Sequence, residues 1–183
     1  MALHQLSTSP APGFDAPLDM LLGCHGRILH FCDLLERLSA HLPVHGADAQ
    51  ARESAAAIMR YFNTAGRYHH QDEEQDLFPL MIAMDDGAKA LIEDLLAAHT
   101  EMDRAWEALS SMLESLQEVD WEIFRDLAEA FISMNRSHVE LENRDLLPVA
   151  RCLLNAPQLE QLGRAMAKRR HVDYVSSDSG DMA

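Results

Sequence analysis

Apolar positions recur at helical spacing along most of the chain. Leu18, Leu21, Leu22, His25, Ile28, Leu29, Leu35 and Leu38 fall mainly three or four residues apart, the inner stripe of an amphipathic helix. The pattern predicts a first helix from about Asp15–Pro17, with Pro17 in the first turn where its missing N–H costs nothing, to about His41–Pro43. A second is predicted from about Ala47 to Met84, with Ile58, Met59, Phe62, His69, Leu77 and Leu80 inward. Gly66 and Pro79 are its weak points, and a kink is expected near Pro79. Asp85-Asp86-Gly87 signals a turn. The third helix, about Ala88–Glu118, carries Leu91, Leu95, His99, Met102, Trp106, Leu109 and Leu113. The fourth, about Asp120–Leu154, carries Phe124, Leu127, Phe131, Met134, His138, Leu141 and Leu146. A short fifth follows over about Pro157–Arg169. No stretch alternates as a strand does. The fold class is therefore all-α: an antiparallel up-down-up-down four-helix bundle with a short C-terminal fifth helix. Residues 1–14 read as a flexible arm, 15–154 as the bundle, 155–170 as the C-terminal helix and 171–183 as a disordered polar tail.

Composition narrows the function. The chain has 183 residues, one domain's worth, with 15 Lys+Arg against 30 Asp+Glu, a net charge of −15, and 10 His. So acidic a chain lacks the cationic surface that nucleic acid or an anionic membrane requires. The longest uncharged apolar run is the eight residues Leu77–Met84, far short of the roughly 20 that span a bilayer. The opening residues lack the basic head and apolar run of a secretory signal. Cys24, Cys32 and Cys152 show no CxxC spacing and read as free thiols. The expectation is a cytoplasmic monomer or homodimer.

The chemistry lies in an internal repeat. His69-His70-Gln71-Asp72-Glu73-Glu74-Gln75-Asp76-Leu77-Phe78-Pro79 and His138-Val139-Glu140-Leu141-Glu142-Asn143-Arg144-Asp145-Leu146-Leu147-Pro148 share His-x3-Glu, a Leu eight residues after the His and a Pro ten after it. Residues i and i+4 share a helix face, so each segment offers an imidazole beside a carboxylate, a pair suited to a divalent metal. His25 and His99 lie on the apolar stripes of the other two helices. Counted from the shared turns at about 1.5 Å per residue, the depths match within about 1.5, 6 and 7.5 Å. One layer can therefore hold His25, His69, Glu73, His99, His138 and Glu142. A lone inward His is more often a hydrogen-bonded core residue than a ligand. Four at matching depth, two with Glu at the same offset, are hard to place by chance, since buried polar groups need partners. Six ligands exceed what a single zinc needs and point to two metals.

On these residues the sequence resembles the hemerythrin-like, or HHE cation-binding, family over residues 15–154. The shared features are a His on helix one, HxxxE on helix two, a His on helix three and HxxxE on helix four, followed by the LFP and LLP tails. The resemblance implies a non-haem centre of two iron ions, with Glu73 and Glu142 bridging and His25, His69, His99 and His138 as terminal ligands. Where the invertebrate oxygen carriers have a second His one turn after the helix-three His, this sequence has Asp103. Asp103 and His70 are therefore possible additional ligands. Ferritin-like shells run Glu-x-x-His; the order here is reversed and imidazoles outnumber carboxylates. The implied function is binding of O2 or a related diatomic ligand (NO, peroxide) for sensing, carriage or detoxification, more as a binding protein than as an enzyme. The alternatives are metal storage without redox turnover, and an NO reductase or peroxidase on the same site. Tyr68 and Cys32 read as structural, the off-face His30 as a surface residue, and Lys168-Arg169-Arg170 as cations favouring the last helix's dipole.

Overall fold

In a computed structural model, residues 12–175 are described. Most of the arm expected over 1–14 and the end of the tail expected over 171–183 lie outside them. The described chain is all helical, without strands. Helix α1 spans Pro17–His45. It begins at the Pro17 expected from sequence and runs past Pro43 to Gly46, whose positive φ of 68° ends it while its N–H donates to the Leu42 carbonyl.

The second rod is continuous in direction but not in winding. It comprises α2 (Ala49–Tyr61), a π-turn π1 (Phe62–Gly66), α3 (Arg67–Asp72), a second π-turn π2 (Glu73–Leu77) and α4 (Phe78–Met84). Asp48 caps it by accepting from the Ala51 N–H. A 3-10 turn, Asp86–Ala88, leads to α5 (Lys89–Glu114), with Asp85 accepting from the Gly87 N–H. The fourth rod is α6 (Trp121–Leu141), capped by Asp120, then π3 (Glu142–Leu146) and α7 (Leu147–Leu153). Helix α8 spans Ala156–Arg169 and opens on an Asn155–Gln158 capping box.

The π-turns correct the simple helical reading. Regular α-winding, at about 100° per residue, carries a residue eight places after His69 about 80° past the same face. A π-turn takes up one extra residue, leaving an effective seven and a mismatch of only about 20°. Leu77 and Leu146 thus come back inside, both at 0% exposure. The departure expected at Pro79 falls just ahead of it, at Glu73–Leu77. Pro79 and Pro148 stand in the first turns of α4 and α7, where a missing N–H costs least.

The second and fourth rods each pack along α1 and along α5. The core is divided in two. Ile28, Leu35, Phe62, Leu109, Phe124 and Phe131 belong to one apolar cluster. Leu21, Phe78, Met81, Ile92, Leu95 and Leu146 belong to the other. Between them each rod presents polar residues, so the chain encloses one polar layer between two apolar plugs. Helix α8 covers the second plug, burying Leu162 and Met166 in it. It approaches so closely that a Cβ on Gly163 would stand 1.9 Å from the Phe14 carbonyl oxygen, so only glycine fits. Among the described residues, no helix is long and apolar enough to cross a membrane.

Candidate metal centre

All six residues expected in the layer meet there. His25, His69, Glu73, His99, His138 and Glu142 are buried, none exposing more than 4% of its surface. Each stands where its helix passes between the apolar plugs. Glu73 and Glu142 begin π2 and π3, and the turn of α-helix before each puts the His four residues back alongside it.

The carboxylates are split between two pairs of histidines. Glu142 aims Oε2 at His25 Nε2 (3.1 Å) and His69 Nε2 (3.9 Å), and Oε1 at His138 Nε2 (3.1 Å) and His99 Nε2 (4.0 Å). Glu73 aims Oε1 at His69 Nε2 (3.5 Å) and His25 Nε2 (4.0 Å), and Oε2 at His99 Nε2 (3.7 Å). One oxygen of each carboxylate thus faces each pair. Potential ligand atoms of His25, His69, Glu73 and Glu142 converge within 4.8 Å, as do those of Glu73, His99, His138 and Glu142.

Protein atoms alone do not satisfy this layer. Among the described residues, His25 Nε2, His69 Nδ1 and Nε2, and all four oxygens of Glu73 and Glu142 are buried without a hydrogen-bond partner. Unpartnered buried groups of this kind are costly. His99 Nε2 and His138 Nε2 stand 2.9 Å apart, so two lone pairs converge unless a proton or a cation lies between them. The titration reflects the same crowding. Burial and the Glu142 charge raise Glu73 well above the carboxylate range. Burial pushes Glu142 up as well, but His138 and His25 outweigh it and hold that carboxyl well down. Burial lowers His25, yet the two carboxylates carry it up to about 10. Burial drives His69 down. Imidazole and carboxylate donors in this number suit divalent iron, manganese or zinc, and two cations would satisfy the orphaned Nε2 atoms and carboxylate oxygens.

Of the possible additional ligands, His70 comes close. Its ring stacks on His99 (centroids 3.9 Å apart), and its ligand nitrogen lies within 4.8 Å of those of His99 and His138. Asp103 is exposed and enters none of the three converging groups. It stands with His70 on the wall of a cavity of about 440 Å³. Ile28, Phe62, Met102, Trp106 and Phe131 supply the cavity's apolar wall, and the Trp106 indole N–H donates to Asn63 Oδ1 (2.9 Å).

Three supports escaped sequence reasoning. Asn143 Oδ1 accepts from His25 Nδ1 (2.6 Å), and Glu74 Oε1 accepts from His99 Nδ1 (2.7 Å). The signal was present, since each follows the motif Glu. The third joins the end of α8 to Asp72, which is fully buried. Arg169 bonds Asp72 and Asp76, and Arg170 bonds Asp72 (2.6 Å). Those arginines therefore do more than face a helix dipole. The Arg170 guanidinium also lies 5.5 Å from the Tyr68 ring, which gives Tyr68 its packing role. Cys32 is buried, and burial pushes its thiol up to about 12.

The family model for the hemerythrin HHE cation binding domain matches residues 16–150. A Haemophilus influenzae protein, described only as uncharacterized, is 34% identical over 160 residues, covering 87% of this chain and 92% of that relative.

Proposed function

The chain belongs to the hemerythrin HHE cation-binding domain family, and on that premise we propose that its buried layer is a carboxylate-bridged di-iron centre that binds O2 or a related small ligand such as NO or peroxide. The observation that carries this reading is the division of both carboxylates, each with one oxygen toward His25 and His69 and the other toward the His99 pair. In this reading His25 and His69 would hold one iron and His99 and His138 the other, with Glu73 and Glu142 offering one carboxylate oxygen to each. His70 would add a nitrogen on the His99 side, a role supported by its convergence with His99 and His138; Asp103 lines the cavity wall beside it. When bound, two ferrous ions supply a pair of electrons and a coordination position for an exogenous ligand.

The chain's own residues do the remaining work. The apolar plugs above and below the layer exclude water and lower the local dielectric, so the imidazoles and carboxylates stay committed to the centre. The aromatic cavity reaches His70 at the edge of the layer, which supports approach of an exogenous ligand from that side. Its size, about 440 Å³, leaves room for a co-reactant as well, which favours a second reading in which NO or peroxide is turned over at the same site. Free thiols at Cys24, Cys32 and Cys152 fit a reducing, cytoplasmic setting. The partners in this reading are small diatomic ligands, without nucleic acid or membrane, for a monomer or homodimer.

The test is the absorption spectrum of ferrous-loaded protein before and after O2. A ligand-to-metal charge-transfer band that appears with O2 and reverses under vacuum supports binding. An unchanged spectrum contradicts it, and multiple turnovers of NO or hydrogen peroxide favour the second reading.

A further inference from the structure

The four site histidines are not held alike. His69 and His138, within the repeat, have no hydrogen-bond partner at Nδ1 among the described residues. His25 and His99 are each held there by a side chain from a neighbouring rod. Those side chains occupy equivalent positions: Asn143 directly follows Glu142, and Glu74 directly follows Glu73. Each is the second residue of its π-turn, so the turn that aims a carboxylate into the layer also aims the next side chain at the adjacent helix. The hydrogen bonds, at 2.6 and 2.7 Å, commit Nδ1 as a donor and turn Nε2 toward the carboxylates, so that Nε2 is the nitrogen available to a metal.

The chemistry of the two supports differs. Asn143 is a neutral amide, which orients the His25 ring without adding charge. Glu74 is a carboxylate, and its hydrogen bond gives the His99 imidazole partial anionic character and a stronger Nε2 donor. We infer that Glu74 and Asn143 are paired positioning residues that make the two metal positions electronically unequal, the His99 side being the more electron-rich. The inference rests on the proposed two-metal reading. Its consequence is a lower reduction potential for the metal on the His99 side, since a stronger donor favours the more highly charged ion. His70, stacked on His99, lies on the same side and deepens the contrast.

Glu74→Gln is the informative variant. It keeps an acceptor oxygen of the same reach and removes only the charge, at a residue whose side chain is 36% exposed. Asn143→Asp makes the opposite change on the other side. Each full-length variant and the parent chain would be loaded with ferrous iron without oxygen, assayed for iron, and titrated by spectroelectrochemistry. Thermal midpoints of the metal-free chains would show that the fold is intact. Glu74→Gln is expected to raise one of the two potentials by the equivalent of a tenfold loss in preference for ferric ion, about 59 mV for a one-electron couple. Asn143→Asp is expected to lower the other. Selective weakening of one iron of the two in Glu74→Gln would support the inference equally. Unshifted potentials, equal shifts of both couples, or loss of both irons together would overturn it. A parent chain that takes up no iron would instead overturn the two-metal reading, and this inference with it.

Discussion

The segments His69–Pro79 and His138–Pro148 carry the same inward residues and different outward ones. Inside, each gives a His, a Glu one turn later and a fully buried Leu after a π-turn. Outside, the first is anchored and the second is not. Asp72, directly before Glu73, is buried against Arg169, the last residue of α8, and Arg170 just after it. The matching position before Glu142 is Leu141, half-buried, and the charges nearby are an exposed Arg144–Asp145 pair. The inner face is constrained by what the layer must hold. The outer face is constrained only by what covers it, and only the first segment is reached by the arginines at the end of α8.

Breaking the anchor should give the largest difference between the two segments. Arg169→Ala with Arg170→Ala leaves the Asp72 carboxylate buried without a partner, an expected loss of about 3 kcal/mol in urea or thermal unfolding. The same change at Arg144, in the second segment, should leave stability unmoved, because solvent screens that exposed pair. Equal effects at the two sites would erase the contrast. The inner faces should instead respond alike. Leu77→Ala and Leu146→Ala each empty a fully buried site in the same plug, at a cost of about 3 kcal/mol apiece; a large disparity would show that the repeat is not matched in packing.

The smallest effects lie at the starts of the two rods, where Asp48 and Asp120 both cap N-termini. Alanine at either should lower the thermal midpoint slightly. The Ala51 N–H bond, with a further contribution from His41, holds the Asp48 carboxyl below its usual value. A carboxyl lowered in the folded state contributes stability above its unfolded pKa of about 3.9, and that contribution fades as pH falls through the folded value. The Asp48→Ala difference should therefore be full at pH 6 and shrink below about pH 4. A difference that grows in acid would contradict this.

Much of this was legible before any coordinates. Pro17 marked the first helix, the apolar stripes marked the rods, and the doubled His-x3-Glu marked both the layer and its depth. Periodicity assumes one winding, so it could not find the π-turns, although the unusual offset of eight from His to Leu was their trace. The supports at Glu74 and Asn143 lie off the inner stripe, and only the widened turns aim them at neighbouring helices. Asp72 reads as one more charge in an acidic run. Its burial depends on α8 folding back from nearly a hundred residues away, a contact that no local pattern encodes.

The central claim is that the layer holds two metals bridged by Glu73 and Glu142. It is tested most directly by the iron content of the purified chain after anaerobic loading with ferrous iron and removal of the excess, alongside Glu73→Ala and Glu142→Ala. The account predicts about two irons per chain in the parent, and loss of both from either variant, since each carboxylate faces both histidine pairs. Fewer than about one iron in the parent, or two irons retained without either carboxylate, would contradict it.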